Sequence, residues 1–333
     1  MDHDLEFTII LPVWHSGDHL RNALHTLHEL DYPQDRFEVI VAGSREDPCS
    51  PTLVEQVARN SVFGLRFLEC PDSHRTGMLN AACREAKGCV LAFAADDCFF
   101  RGTWLRSLHD LFSAEPDLGI VGGPDDLEPS RSTFALAVNY ALQSFFGTGG
   151  MRRGNRLRAG AYYPKLWNMA VSRQVAFEVA LQNPDGQSMV FDESLGVHED
   201  VEFARRVAKT GRQILFSPDV KVGYKRDRTL GLFLRGNFQK ARASRTLGVH
   251  RSSHLVLTTF VLCFLSLGAA SLFSPLGKHL FVTLSGIYCV MLTAAGVGGF
   301  FYTKRAKASI LIPAILVSLH FARGIGYLFP LRK

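Results

Sequence analysis

The carboxyl-terminal third of the chain is the feature that most restricts the fold. Asp227 is the last acidic residue, and three long apolar stretches follow it, at 254–273, 280–302 and 309–329. Each has about the 20 residues that a helix needs to cross a bilayer. The sequence therefore predicts a membrane domain at 253–333 with about three transmembrane helices. The third stretch contains His320 and Arg323, so a re-entrant or interfacial helix is the alternative there.

Charge is distributed unevenly along the chain. The net charge is −11 for residues 1–200 and +17 for the remaining residues, although the whole chain has only +6. Such asymmetry indicates a membrane or a nucleic acid as partner. The basic residues flank apolar stretches rather than lining a polar groove. This pattern favours membrane lipids and argues against nucleic acid.

The basic segment 230–252 precedes the apolar stretches. Leu230, Phe233, Leu234 and Phe238 recur at helical spacing, with arginine and lysine residues between them. The pattern predicts a basic amphipathic helix lying on an anionic membrane surface. An ordinary domain helix with a solvated basic face is the alternative. Because positive loops face the cytoplasm, this segment and the loop at 304–307 are expected on that side.

Residues 1–229 show a different pattern, in which short β-branched runs alternate with helical stretches. Strands are predicted at 7–13, 37–41, 65–69 and 89–94, and helices at 18–30, 51–59, 77–87 and 201–209. This alternation is typical of βαβ units and predicts an α/β domain with a mostly parallel sheet. The seven cysteines include no C-x-x-C pair, which favours a reducing compartment.

Two acidic motifs are candidates for chemistry. Asp96 and Asp97 follow a buried predicted strand, where adjacent carboxylates can hold Mg²⁺ or Mn²⁺ against phosphate oxygens. Glu199 and Asp200 begin a predicted helix. There, Asp200 is either a helix cap or a general base that takes a proton from an attacking hydroxyl. Each motif alone is weak evidence.

Four short motifs occur together in one order. They are Ile9 to Trp14, Leu79-Asn80-Ala81-Ala82, Phe93 to Asp97, and Phe191 to Ser194 followed by Glu199-Asp200. In this order and spacing the chain resembles the family 2 glycosyltransferases of the GT-A fold, over most of residues 5–230. With its apolar tail it resembles the bacterial membrane-associated members that build exopolysaccharides such as succinoglycan on a polyprenyl carrier.

The resemblance implies roles for individual residues. Pro12, Val13, Trp14, Gly43, Arg75, Asn80 and Asp96 would bind the nucleotide-sugar. Asp96 and Asp97 would hold Mn²⁺ or Mg²⁺ on the donor diphosphate. Asp200, beside Glu199, would be the catalytic base of an inverting transfer. The acceptor would be a lipid or a polyprenyl-linked sugar at the cytoplasmic face of the bacterial inner membrane, with a multi-pass anchor and a cytoplasmic catalytic domain.

A second group of basic residues is a candidate for the acceptor or its diphosphate. Arg152 and Arg153 lie between the two acidic motifs, in the region where the family forms its acceptor site. Arg242 stands in the neighbourhood where processive synthases carry Q-x-x-R-W, a motif that is absent. Single-sugar transfer is therefore favoured over polymerisation. A solvated basic face is the alternative for the two neighbouring arginines.

The chain also departs from the family pattern. Val41-Ala42 stands where the family usually has Asp-Asp, with an Asp that reads the base, and Ala94 is aligned with the first Asp of D-x-D. Glu46, Asp47 or Asp97 could serve the nucleotide instead. These departures keep open a non-catalytic, glycosyltransferase-like scaffold subunit of a polysaccharide-assembly complex. A transport component is less favoured because it has no use for the α/β domain. The sequence leaves the sugar, the base and the oligomeric state open.

Overall fold

The computed structural model describes residues 6–14, 17–71, 74–127, 132–148, 163–224, 229–248 and 252–330. Contacts divide the chain into two compact units. Unit 1 comprises Met1–Glu128 and Tyr162–Lys225, and unit 2 comprises Pro129–Ala161 and Arg226–Lys333. The described residues 132–148, which lie inside the predicted domain 1–229, thus belong to the same unit as the carboxyl-terminal helices.

Secondary structure follows the predicted alternation. The strands are β1 (Phe7–Val13), β2 (Phe37–Ser44), β3 (Gly64–Cys70), β4 (Val90–Phe93), β5 (Cys98–Phe100), β6 (Leu118–Gly122), β7 (Asp125–Leu127), β8 (Met169–Ser172), β9 (Leu181–Gln182), β10 (Ser188–Met189), β11 (Gln213–Phe216) and β12 (Val222–Tyr224). The helices are α1 (Asp18–His28), α2 (Ser50–Ala58), α3 (Arg75–Glu85), α4 (Trp104–Ala114), α5 (Thr133–Gln143), α6 (Phe145–Thr148), α7 (Arg173–Glu178), α8 (Glu199–Lys209), α9 (Leu230–Thr246), α10 (Ser252–Ala270), α11 (Pro275–Thr303) and α12 (Ala306–Leu328).

A seven-stranded mixed sheet forms the centre of unit 1. Its strand order is β11-β6-β8-β4-β1-β2-β3. β1 pairs in parallel with β2 and β4, β2 with β3, and β6 with β11. β8 runs antiparallel to both of its neighbours. The prediction of a mostly parallel α/β sheet is confirmed.

Helices cover both faces of this sheet because its strands are apolar on both sides. Alternate residues of a strand point to opposite faces. Ile9 therefore belongs to the core shared with α1 and α4, whereas Ile10 belongs to the core shared with α3 and α8. The apolar residues of α1 recur at helical spacing and are buried against the sheet, as are those of α8 on the other face.

Unit 2 is an assembly of helices in which α12 contacts α5, α9, α10 and α11. Apolar side chains of α5 pack with those of α11 and α12, which explains why α5 belongs to this unit. By length and composition, Pro275–Thr303 and Ala306–Leu328 are able to cross a membrane, with mean hydropathies of 1.9 and 1.7. The third apolar helix, His254–Ala270, is shorter.

Candidate active site

The carboxyl ends of the parallel strands form one edge of the sheet in unit 1. β1 ends at Val13, β2 ends at Ser44, and β4 leads into Asp96 and Asp97. A helix that follows or precedes a parallel strand runs back along it, so α3 and α8 begin at this same edge. Ligands of open α/β sheets bind there.

The carboxyl ends of β1 and β2 carry two of the predicted nucleotide-binding residues, the half-exposed Trp14 and the closely packed Gly43. Val13 is buried, whereas the side chain of Trp14 is 52% exposed. Gly43 pairs with Val13, and a Cβ at Gly43 would stand 2.8 Å from the Phe67 ring and 2.9 Å from the Val13 side chain. Packing thus favours glycine at this position, while Trp14 presents a surface on which a planar ring could stack.

Asn80 lies inside unit 1, where its side chain joins α3 to the segment that precedes α8. Its amide nitrogen donates to the Phe191 carbonyl and to Glu193 Oε1, both at 2.8 Å. Its amide oxygen accepts from the Phe191 N–H at 2.9 Å. Asn80 is fully buried. The geometry therefore gives Asn80 a structural role, although the sequence pattern placed it among the nucleotide-binding residues.

Arg75 and Glu199 form an ion pair between the first residues of α3 and α8. The Glu199 side chain is 1% exposed and the Arg75 side chain is 52% exposed. Burial raises the pKa of Glu199, Arg75 lowers it less strongly, and the Asp200 carboxylate adds to the rise. Oε2 of Glu199 is buried and has no hydrogen-bond partner among the described residues. Arg75 and Glu199 are 124 positions apart in the chain.

A second ion pair joins Lys165 to Asp200. Lys165 Nζ lies 3.2 Å from Asp200 Oδ2, and Asp200 Oδ1 accepts from the Val201 N–H at 2.8 Å. Burial raises the pKa of Asp200, but the charges of Lys165 and His198, with a smaller contribution from Arg75, outweigh burial and lower it. Asp200 is therefore a carboxylate at neutral pH. The sequence analysis did not single out Lys165, which belongs to none of the four motifs.

The buried charge of Glu199 predicts a pH-dependent stability difference. A folded-state pKa above the ordinary value of 4.5 means that stability present at lower pH is lost as the pH rises through the folded value. The glutamine side chain of Glu199→Gln carries no charge, so this variant does not lose stability as the pH rises. We expect the melting temperature of the variant minus that of the natural chain to become larger as the pH rises from about 5 to about 8. Thermal unfolding of both chains across this range measures it. Glu115→Gln, at an exposed position, is the control, and a pH-independent difference for Glu199→Gln would contradict the prediction.

Asp96 and Asp97 are both partly buried between β4 and β5. Within the described ranges, no group of three or more His, Cys, Asp or Glu residues could hold a metal ion. Two carboxylates nevertheless suit Mg²⁺ or Mn²⁺, because such ions are commonly held by one or two carboxylates together with substrate phosphates. The carboxylates of Asp96 and Asp97 therefore fit an ion whose coordination is completed by a bound diphosphate.

The departures from the family pattern lie in apolar surroundings. Val41, Ala42 and Ala94 are buried core residues. Asp47, a possible substitute, is buried, and its carboxylate accepts hydrogen bonds from the Cys49 N–H, the Ser50 N–H and the Ser50 hydroxyl. Asp47 thus stabilises the start of α2.

The predicted acceptor arginines fall in two places. Arg152 and Arg153 lie outside the described residues. Arg242, in unit 2, donates from Nε to the Phe329 carbonyl and from Nη2 to the Pro330 carbonyl, each at 3.2 Å. These carbonyls follow the end of α12, so the cation stabilises a helix carboxyl terminus. A role of Arg242 toward an acceptor stays a prediction.

The mixed sheet, with its acidic and basic side chains gathered at the carboxyl ends of the strands, has the GT-A fold of glycosyltransferases. The solved structure of the mannosyltransferase PcManGT from Pyrobaculum calidifontis, in complex with GDP-Man and Mn²⁺, superposes with a TM-score of 0.57. It is 18% identical, and the match covers 96% of this chain and 86% of that one. At this identity the likeness shows the fold alone.

Family membership follows from the sequence comparison. The model of the glycosyltransferase-like family 2 matches residues 3–244, so the chain belongs to this family. The succinoglycan biosynthesis protein ExoM of Rhizobium meliloti (strain 1021) is 28% identical over 211 residues. That match covers 61% of this chain and 62% of the relative. The chain is thus a member of the glycosyltransferase-like family 2 that is similar, over less than two thirds of the relative's length, to a succinoglycan biosynthesis protein.

Proposed function

We propose that the chain is an inverting glycosyltransferase that moves one sugar from a nucleotide-sugar to a lipid- or polyprenyl-linked acceptor at the cytoplasmic face of the bacterial inner membrane. The observation that carries the proposal is the Asp200 carboxylate, which is buried and held ionised at the edge formed by the carboxyl ends of the parallel strands. The apolar helices of unit 2 and the ExoM relative support a membrane-bound role in cell-surface polysaccharide or glycolipid synthesis.

The proposed reaction uses Asp200 as the general base. Its carboxylate takes the proton of an acceptor hydroxyl, and the acceptor oxygen forms a bond to the anomeric carbon. The bond from that carbon to the diphosphate oxygen breaks on the opposite side, so the configuration inverts. Arg75, at the start of α3, would turn from Glu199 toward the departing diphosphate and stabilise its charge. Trp14 would stack on the nucleobase.

Asp96 and Asp97 would hold the divalent ion of this reaction. When bound, Mn²⁺ or Mg²⁺ would supply positive charge against the diphosphate. Binding of GDP-Man and Mn²⁺ by the mannosyltransferase neighbour supports divalent-ion use in this fold.

A screen of UDP-, GDP- and other nucleotide-sugars with the membrane-embedded chain tests the function. We expect one donor to be transferred or hydrolysed in the presence of Mn²⁺ or Mg²⁺, activity to disappear with a chelator, and added metal to restore it. Asp96→Asn should lower the rate by at least about 100-fold, whereas Asp219→Asn, on an exposed loop, should leave it unchanged. Metal-independent turnover would contradict the metal site.

A non-catalytic scaffold is the second candidate, and the buried Val41, Ala42 and Ala94 favour it. Calorimetry separates the two functions. A chain that binds no nucleoside diphosphate with either metal, and turns over no donor, would be a scaffold.

A further inference from the structure

The two ion pairs of the active site are layered in the same way. In each pair the carboxylate is the more buried partner and the cation the more exposed one. The Lys165 side chain is 29% exposed and that of Asp200 is 9% exposed, and Arg75 and Glu199 show the same order. A ligand that enters from solvent therefore meets a cation before it meets a carboxylate.

Lys165 occupies the oxygen of Asp200 that the fold leaves available. Oδ1 is held by the Val201 N–H in the first turn of α8, and the His198 ring lies 4.0 Å from it. Oδ2 is the oxygen bound by Lys165 Nζ. Because the Asp200 side chain has little exposed surface, an acceptor hydroxyl that approaches Oδ2 competes with the ammonium for this oxygen. Movement of the ammonium would leave Oδ2 available for the proton of the hydroxyl.

An anion is the ligand that would draw the ammonium away. Moving Lys165 without a new partner would remove the closest positive charge from the buried carboxylate, which is costly. A phosphate group on the acceptor would bind the ammonium through charge-assisted hydrogen bonds, while the hydroxyl takes its place on Oδ2. Binding of an anionic acceptor and release of the base would then be one event.

The place of Lys165 in the sheet sets it apart from the nucleotide-binding residues predicted at the ends of β1 and β2. Lys165 shortly precedes β8, which lies beside β4 on the side away from β1, β2 and β3. Trp14 and Gly43 belong to that other side, and α3, which follows β3, begins with Arg75. β4 thus separates Lys165 from Trp14 and Gly43 along the sheet edge, whereas Arg75 pairs with Glu199 next to Asp200, and Asp96 follows β4 itself. A donor diphosphate would also lie close to Lys165, so UDP binding distinguishes the two sources of phosphate.

We propose that Lys165 is a positioning residue that binds Asp200 in the free protein and a phosphate of the acceptor in the complex, so that an anionic acceptor frees the base. The inference rests on the proposed function, because it requires Asp200 as the base. It adds to that function a side chain that couples binding of the acceptor phosphate to release of the base.

Binding of matched probes to the full chain in detergent tests the proposal. Farnesyl diphosphate and farnesol differ only in the diphosphate, and UDP reports on the donor side. We expect Lys165→Met to weaken farnesyl diphosphate binding by about tenfold or more, with farnesol and UDP affinities unchanged. Lys165→Arg should retain most of the affinity. Lys209→Met, which removes an exposed lysine from the last turn of α8, should bind all three probes normally.

Each other outcome overturns the proposal. Unchanged farnesyl diphosphate affinity in Lys165→Met would remove the acceptor role, and a loss confined to UDP would assign the lysine to the donor diphosphate. Equal loss for farnesol would indicate a packing defect.

The dependence of the reaction rate on pH gives a second readout, which a purely structural role of Lys165 would leave unchanged. Among the described residues, the charged groups that act on Asp200 are Lys165, His198 and Arg75, and the Glu199 carboxyl is coupled to it. Removing the ammonium removes an influence that lowers the Asp200 pKa, so the acid limb of the Lys165→Met profile should move to higher pH. An unmoved limb would count against the proposal. Full activity of an Asp200→Asn variant would instead defeat the proposed function, whatever the binding results for Lys165.

Discussion

Replacing Asp200 by asparagine is expected to lower the turnover number by about 1000-fold, because a positioned general base contributes about 10² to 10⁴ in rate. The amide has nearly the same shape, and its oxygen can still accept the Val201 N–H. It cannot take a proton from the acceptor. Lys165 loses its charged partner but, being partly exposed, stays solvated. The loss should therefore appear in chemistry and not in folding.

The measurement is transfer of a labelled sugar in reconstituted membranes, with the donor identified in the nucleotide-sugar screen. The donor KM and the melting temperature should stay close to those of the natural chain. Asp185→Asn, on an exposed turn of unit 1, is the matched charge control. An Asp200→Asn chain with full transfer activity would show that another group is the base.

Local patterns were sufficient to predict four strands (β1 to β4) and four helices (α1, α2, α3 and α8) of unit 1. The strand predicted at 7–13 is β1, and the helices predicted at 18–30 and 51–59 are α1 and α2, with ends within two residues. Their apolar spacing reports directly on the face that each element buries. β2 continues to Ser44, beyond the predicted end at 41. Gly43 does not end this strand, because it fits between the side chains of Val13 and Phe67.

The partners of the site residues could not be predicted from local patterns. Arg75 and Glu199 are far apart in the chain, and their contact depends on α3 and α8 beginning at one edge of the sheet. Lys165 has no recognisable motif, and its proximity to Asp200 arises from the chain leading into β8. The sequence does identify the two acidic residues Glu199 and Asp200, because they are adjacent at the start of an amphipathic helix.

The assignment of α5 to unit 2 also depends on tertiary packing. Its sequence is apolar around most of its surface, so periodicity alone does not say which element covers it. The answer lies in α11 and α12, more than a hundred residues later, whose side chains complete its core. His320 in α12 contacts the Phe146 carbonyl of α6 at 2.8 Å, and Arg323 contacts the Gly147 carbonyl at 3.3 Å. The polar residues of the third apolar stretch thus hold the α5–α6 segment.

Replacing Asn80 by alanine is expected to destabilise unit 1 by about 3 kcal/mol, since each buried polar group left unsatisfied costs about 1–3 kcal/mol. The N–H and the carbonyl of Phe191 both lose their partner. Phe191 is itself buried, edge-on to Phe93. Water cannot replace the lost amide without opening this core.

The melting temperature decides between this structural role and the nucleotide role that the sequence pattern implied for Asn80. We expect a fall of about 10 °C in Asn80→Ala, at about 2–4 °C per kcal/mol for a domain of this size. Nucleotide affinity measured well below the transition should stay close to normal, since the amide is fully engaged inside unit 1. Asn60→Ala, at an exposed position, should melt like the natural chain. A normal melting temperature with weakened nucleotide binding would return Asn80 to the donor site and show that the segment before α8 is held by other contacts.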